Sequence, residues 1–201
     1  MRSQFQYSEL EETNFSVESQ FHVLKHFKRV DRDYVKYLTN HSEYTADDIA
    51  HQLAVRGSDF YEGFAPNPLN LWQRLKEKIR DDAIRVTWHN GKCEIELKFS
   101  KSEYPEGIGE DHLLHIDELP PGILDKVDTS NWENLRKVSY RKELKSTWTL
   151  QIILRKIKGS TEVISVFPGI YAPQLPDKEL QSEEEYKTSL KFWKTHVVLK
   201  M

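Results

Sequence analysis

His22 and His26, in Phe21-His22-Val23-Leu24-Lys25-His26, are the residues of this 201-residue sequence whose type and spacing best suit acid–base chemistry. On a helix this spacing puts two imidazoles on one face, one turn apart. Imidazole titrates near neutral pH and is the usual general acid or base. Lys25 and Arg29, on adjacent turns, can hold phosphate or lower a histidine pKa. Zinc proteases share the spacing but need Glu directly after the first histidine, and Val23 stands there. No third ligand is nominated among His112, His115 and the carboxylates, so no metal and no cofactor is expected. The competing reading is two partly exposed helix residues without a task.

A second group lies near the other end of the chain. Eight Lys or Arg fall between Arg136 and Lys158 against one acid, Glu143. Most of them fit the solvated outer face of a sheet. Arg141 and Ser165 are different: on one sheet face they would join a cation to a hydroxyl donor. A transferring phosphodiester needs that pairing, because negative charge grows on its non-bridging oxygens in the transition state. A guanidinium fork matches two such oxygens better than an ammonium does.

These residues need elements to hold them. Residues 1–15 are polar and read as an arm. Val17, Phe21, Leu24 and Phe27 recur at helical spacing, so Ser16 opens a helix carrying both histidines. A short helix at 31–37 follows. Thr45 with Asp48 caps a helix over 46–55, and Asn67-Pro68 opens another. Alternating apolar residues on both sides of Asn90-Gly91 predict a hairpin over 84–99. A strand is expected at 112–116 and another at 138–142. Residues 147–168 make a second hairpin, turning at Lys158-Gly159-Ser160 and ending at Phe167-Pro168. Ser182 with Glu185 caps a last helix, 183 to about 198, whose apolar side docks on the sheet. Helices, then strands, then one helix predict an α+β fold with a mainly antiparallel sheet, in a single domain over 16–201.

Composition bounds the function. Net charge is −3 with 30% charged residues, so any polyanion site is a local patch and not a global field. Cys93 is the only cysteine, which excludes an internal disulfide or a cysteine-built zinc site. There is no glycine-rich phosphate loop and no Gly-x-Ser-x-Gly elbow, so ATP hydrolysis and serine hydrolase chemistry drop out. The N-terminus has no apolar signal core and no run approaches a membrane span, so a soluble cytoplasmic protein is expected.

An early helix bearing His22 and a strand ending Ser165-Val166-Phe167-Pro168 together resemble the barnase–EndoU–colicin–RelE-like (BECR) superfamily of small ribonuclease toxins. The pattern is most similar to the RNase A-like toxin modules of contact-dependent inhibition systems. There the helix reads His-x-x-x-x-His and the last strand ends Thr-x-Tyr-Pro. Here the histidines are one residue closer, and Phe167 stands in place of the tyrosine. Residues 100–135 and the tail after Gly169 have no counterpart.

The resemblance implies helices followed by a curved antiparallel sheet, and metal-independent RNA cleavage, often of tRNA. It also implies an antitoxin or immunity protein as a partner; that no membrane is engaged is expected from the lack of a long apolar run. His22 or His26 would then take the 2′-OH proton, Arg141 or Arg29 would clamp the phosphate, and Ser165 would donate a hydrogen bond. Lys25, Thr149, Tyr140, Phe167 and Tyr171 would contact substrate. The alternative is a non-catalytic α+β module that binds RNA or an acidic partner protein.

Overall fold

The computed structural model describes residues 7–55, 58–82, 84, 86, 88–125, 127–135 and 145–198. In chain order these form α1 (Tyr7–Glu11), α2 (Val17–Val23), α3 (Arg32–His41), α4 (Ala46–Ala54), β1 (Asp59–Phe60), α5 (Pro68–Asp81), β2 (Trp88–His89) and β3 (Lys92–Lys98). There follow β4 (Gly109–Asp111), β5 (Leu113–His115), α6 (Trp132–Leu135), β6 (Lys145–Thr147), β7 (Thr149–Ile157), β8 (Ser160–Pro168), α7 (Glu183–Trp193) and β9 (His196–Val198). The class is α+β with antiparallel sheets, as the element order predicts. No helix among the described residues is long and apolar enough to cross a membrane.

The chain divides into two compact units, Met1–Glu110 with Ser146–Gly169, and Asp111–Lys145 with Ile170–Met201. The sequence pattern had suggested one domain over 16–201. The expected strand at 138–142, with Tyr140 and Arg141, lies outside the described residues.

In the first unit two dipeptides set the main sheet. Asn90-Gly91 (φ +50° and +72°) and Lys158-Gly159 (φ +48° and +89°) both turn with positive φ at each position, the twist that joins antiparallel strands through two residues. The resulting order is β2-β3-β7-β8. Cys93, Ile95 and Leu97 of β3 share the core with Leu150, Ile152 and Leu154 of β7. Strand β8 carries one extra residue: Leu154 opposes Val163 and Ile153 opposes Ser165, which leaves Ile164 as a bulge. Val163 and Val166 therefore both face the core, while Ser165 and Phe167 turn to the outer face beside Ile153 and Gln151.

The segment read as a polar arm is partly folded in. Leu10 and Phe15 are buried in the core, and Asn14 bridges the edge of β8 at Glu162. Gln20 of α2 is buried and satisfied at both ends: it donates to the Phe15 carbonyl (2.6 Å) and accepts from the Tyr34 hydroxyl (3.1 Å). A second small sheet has the order β1-β4-β6. At Gly109 a side chain would meet the Asp59 carbonyl and, at 2.9 Å, Pro168 Cβ, so β4 reaches β1 and the end of β8 only because glycine stands there.

In the second unit β5 pairs β9, over a small core of Leu114, Leu135 and Val197. The last helix ends at Trp193, short of the expected 198. Thr195 closes it by donating to the Phe192 carbonyl (3.0 Å), and the β-branched residues that follow form β9. Within this unit α7 packs with α6 and β9.

Candidate functional site

The His helix does not run as the spacing predicts. Regular α2 ends at Val23, and Leu24–His26 tighten into a 3-10 turn. A 3-10 turn advances about 120° per residue against about 100° in an α-helix, so His26 rotates away from His22. His22 is exposed, whereas His26 is only 7% exposed. The two imidazoles therefore do not share one face, which corrects the expectation of a surface pair.

Each histidine has its own surroundings. His22 Nε2 lies 3.1 Å from Lys25 Nζ. Loss of solvent on one side of the ring, and secondly the Lys25 charge, hold its pKa below the usual 6.5. Lys25, half-buried, is likewise lowered by desolvation. His26 Nδ1 lies 2.6 Å from the Ser58 carbonyl. A carbonyl can only accept, so Nδ1 carries the proton and Nε2 is the basic nitrogen of the neutral ring. The His26 ring packs against Phe167 with centroids 5.6 Å apart.

That contact ties the helix end to the outer face of β8. Ser165, Phe167 and Thr149 are all on this face, by their pairing with Ile153, Gln151 and Lys98. Gln151 donates to Glu96 (3.1 Å) across the same face. Ser165 is 9% exposed, so its hydroxyl is held within the fold and not displayed on a groove floor. Tyr171 belongs to the second unit.

Arg29 lines a cleft of about 560 Å³ between Phe27–Arg32 and the turn from Phe60 to Pro66. The volume suits a nucleotide-sized ligand. One hydrogen-bonded chain builds its wall. Asp31 caps α3 by accepting from Tyr34 N (2.8 Å) and also accepts from Asn67 Nδ2 (2.7 Å). Asn67 in turn caps α5 by accepting from Asn70 N (3.0 Å). Gly63 takes φ +91° to turn the opposite wall.

Three cations enter this cleft. Arg29 pairs with Glu62 (3.0 Å), and Lys28 pairs with Glu110 (3.5 Å) while lying 5.9 Å from the Tyr61 ring centroid. Arg32 forms no ion pair among the described residues. The Arg29–Glu62 pair is exposed on both sides, and such pairs contribute about 0–1 kcal/mol, so a phosphate can displace the carboxylate. Tyr61, half-buried, adds a face on which a base can stack, while Phe60 is buried between Phe27 and Phe64.

Lys28, Arg32, Phe60 and Tyr61 were not singled out in the sequence. Their signal was present as Lys28-Arg29 with Arg32, and as two adjacent aromatics before Gly63, but only folding joins segments some 30 residues apart. His26 is buried and does not line the cleft; it adjoins it in the chain, since Phe27 follows it and its partner Ser58 is two residues before Phe60. Comparison with protein-family models, curated proteins and solved structures finds no match for this chain.

Proposed function

We propose that the chain is a metal-independent endoribonuclease whose general base is His26 and whose phosphate site is the Lys28–Arg29–Arg32 cleft. The observation that carries this reading is the His26 geometry, with Nδ1 tied to the Ser58 carbonyl and the ring braced by Phe167, one residue before Phe27 of a cleft with three cations. A base oriented through its other nitrogen is the arrangement general base catalysis needs.

In this mechanism Nε2 takes the 2′-OH proton of RNA. The 2′ oxygen attacks the adjacent phosphorus, the bond to the 5′ oxygen breaks, and that leaving oxygen takes up a proton. The products are a 2′,3′-cyclic phosphate and a 5′-hydroxyl. Arg29 and Arg32 stabilise charge on the non-bridging oxygens. Ser165 supports the outer face beside Phe167, and His22, neutral at pH 7, is the alternative base.

The full chain incubated with single-stranded RNA in EDTA should give 2′,3′-cyclic phosphate ends. His26→Gln should slow cleavage about 10²- to 10⁴-fold, and His22→Gln much less. RNA left intact by the wild-type chain would sink the catalytic reading. The burial of His26 and the Arg29–Glu62 pair favour a second reading, a module that binds RNA without cutting it. Binding without cleavage, lost in Arg29→Ala, would select that one.

A further inference from the structure

We propose that His115 and His196, in the second unit, form a binding site for a divalent transition-metal cation of the Zn(II) or Cu(II) class. All residues concerned lie in that unit, so the proposal is independent of the RNA-cleavage reading.

The two histidines oppose each other in the β5–β9 pair. Next to them, Ile116 N donates to the Thr195 carbonyl (2.9 Å). That makes Ile116 and Thr195 a hydrogen-bonded pair, so His115 and His196 are a non-hydrogen-bonded one, the type whose side chains approach most closely. Their ring centroids are 5.2 Å apart, with the rings at 90°. Two imidazoles sharing a tetrahedral ion at ~2.0–2.1 Å from each Nε2 would set their centroids roughly 5 Å apart.

The far side of the His196 ring fits the same role, and that of His115 does so after a change of tautomer. His196 Nδ1 lies 3.0 Å from the Phe192 carbonyl, and Thr195 Oγ1 lies 3.1 Å from the same nitrogen. His115 Nδ1 accepts from Asp117 N (3.3 Å) and lies 3.2 Å from Asp117 Oδ2. A ligand histidine characteristically donates its other N–H to a carbonyl or carboxylate, which leaves Nε2 for the metal. When His115 binds, its ring proton moves to Nδ1 and is donated to Asp117. The His196 ring is stacked on Phe192 (3.9 Å, 2°), which fixes its rotamer before any ion arrives. His115 is 40% exposed, so an ion reaches it from solvent.

No cluster of three or more His, Cys, Asp or Glu able to hold a metal occurs among the described residues. The site is therefore bidentate, with water completing the coordination shell, and imidazole pairs suit zinc, copper and nickel.

Calorimetric titration of the full chain with ZnCl₂ should show one equivalent bound. His115→Gln and His196→Gln should each weaken it by at least about tenfold, and Asp117→Asn about tenfold through the lost orientation of His115. His89→Gln, at an exposed turn, should leave binding unchanged. Paramagnetic resonance of the wild-type chain with Cu(II) should show coupling to two imidazole nitrogens, a reading that needs no variant to fold. A wild-type chain that binds neither metal, or variants that bind as tightly as wild type, would overturn the proposal. The facing rings would then be a packing contact only.

Discussion

At the scale of single residues, His22 shows how lost solvent, helped by a neighbouring charge, sets a protonation state. Its lowered pKa keeps it neutral at pH 7. On acidification the unfolded chain takes up this proton first, near 6.5, and the folded chain only later. Between those two values the unfolded state holds more protons, so stability falls as pH falls through that window. A proton NMR titration of the His22 ring should give a midpoint below 6.5. Lys25→Gln should move it part of the way back, because the Lys25 charge is the smaller of the two causes. A midpoint unmoved by Lys25→Gln would mean that the 3.1 Å contact carries no electrostatic weight.

At the scale of elements, what the sequence revealed depended on how local the determining contacts are. Asn90-Gly91 and Lys158-Gly159 turn where expected, because a positive φ at both positions is a property of two residues. The caps at Thr45, Asn67 and Ser182 also hold, each made by a side chain reaching three residues along. The end of α2 was not legible: Leu24 and His26 are drawn inward by residues far along the chain, Ile49 and Ser58 among them. The cleft was hidden for the same reason, since the Asp31–Asn67 bond crosses 36 positions. Gly109 is a further long-range requirement. Gly109→Ala should destabilise the chain by about 1–3 kcal/mol, as overpacking does, read as a lowered thermal midpoint. An unchanged midpoint would mean that β1 and Pro168 yield more readily than their close approach implies.

At the scale of the whole molecule, a net charge of −3 means that the proposed RNA binding must rest on a local patch such as the Lys28–Arg29–Arg32 cleft. If Lys28, Arg29 and Arg32 make the phosphate contacts, the logarithm of the binding constant should fall against the logarithm of salt concentration with a slope of about −2, since each neutralised phosphate on a single strand contributes about 0.7. Fluorescence anisotropy with a short labelled RNA across a salt series measures this. A slope near zero would leave the cleft without a role in binding RNA. The bulge in β8 has its own consequence for how this chain can vary. With Ile164 present, the strand is one residue longer than its partner segment, and that surplus puts Ser165 outside and Val166 inside. Were all its residues kept but paired without the bulge, every position after Val163 would slip by one, sending Ser165 into the core and Val166 to the outer face. Deleting Ile164 itself would leave Ser165 opposite Ile153 and Val166 opposite Ile152 in an unbroken ladder, so this strand can lose its surplus residue and keep its outer face, but cannot lose the bulge and keep the residue.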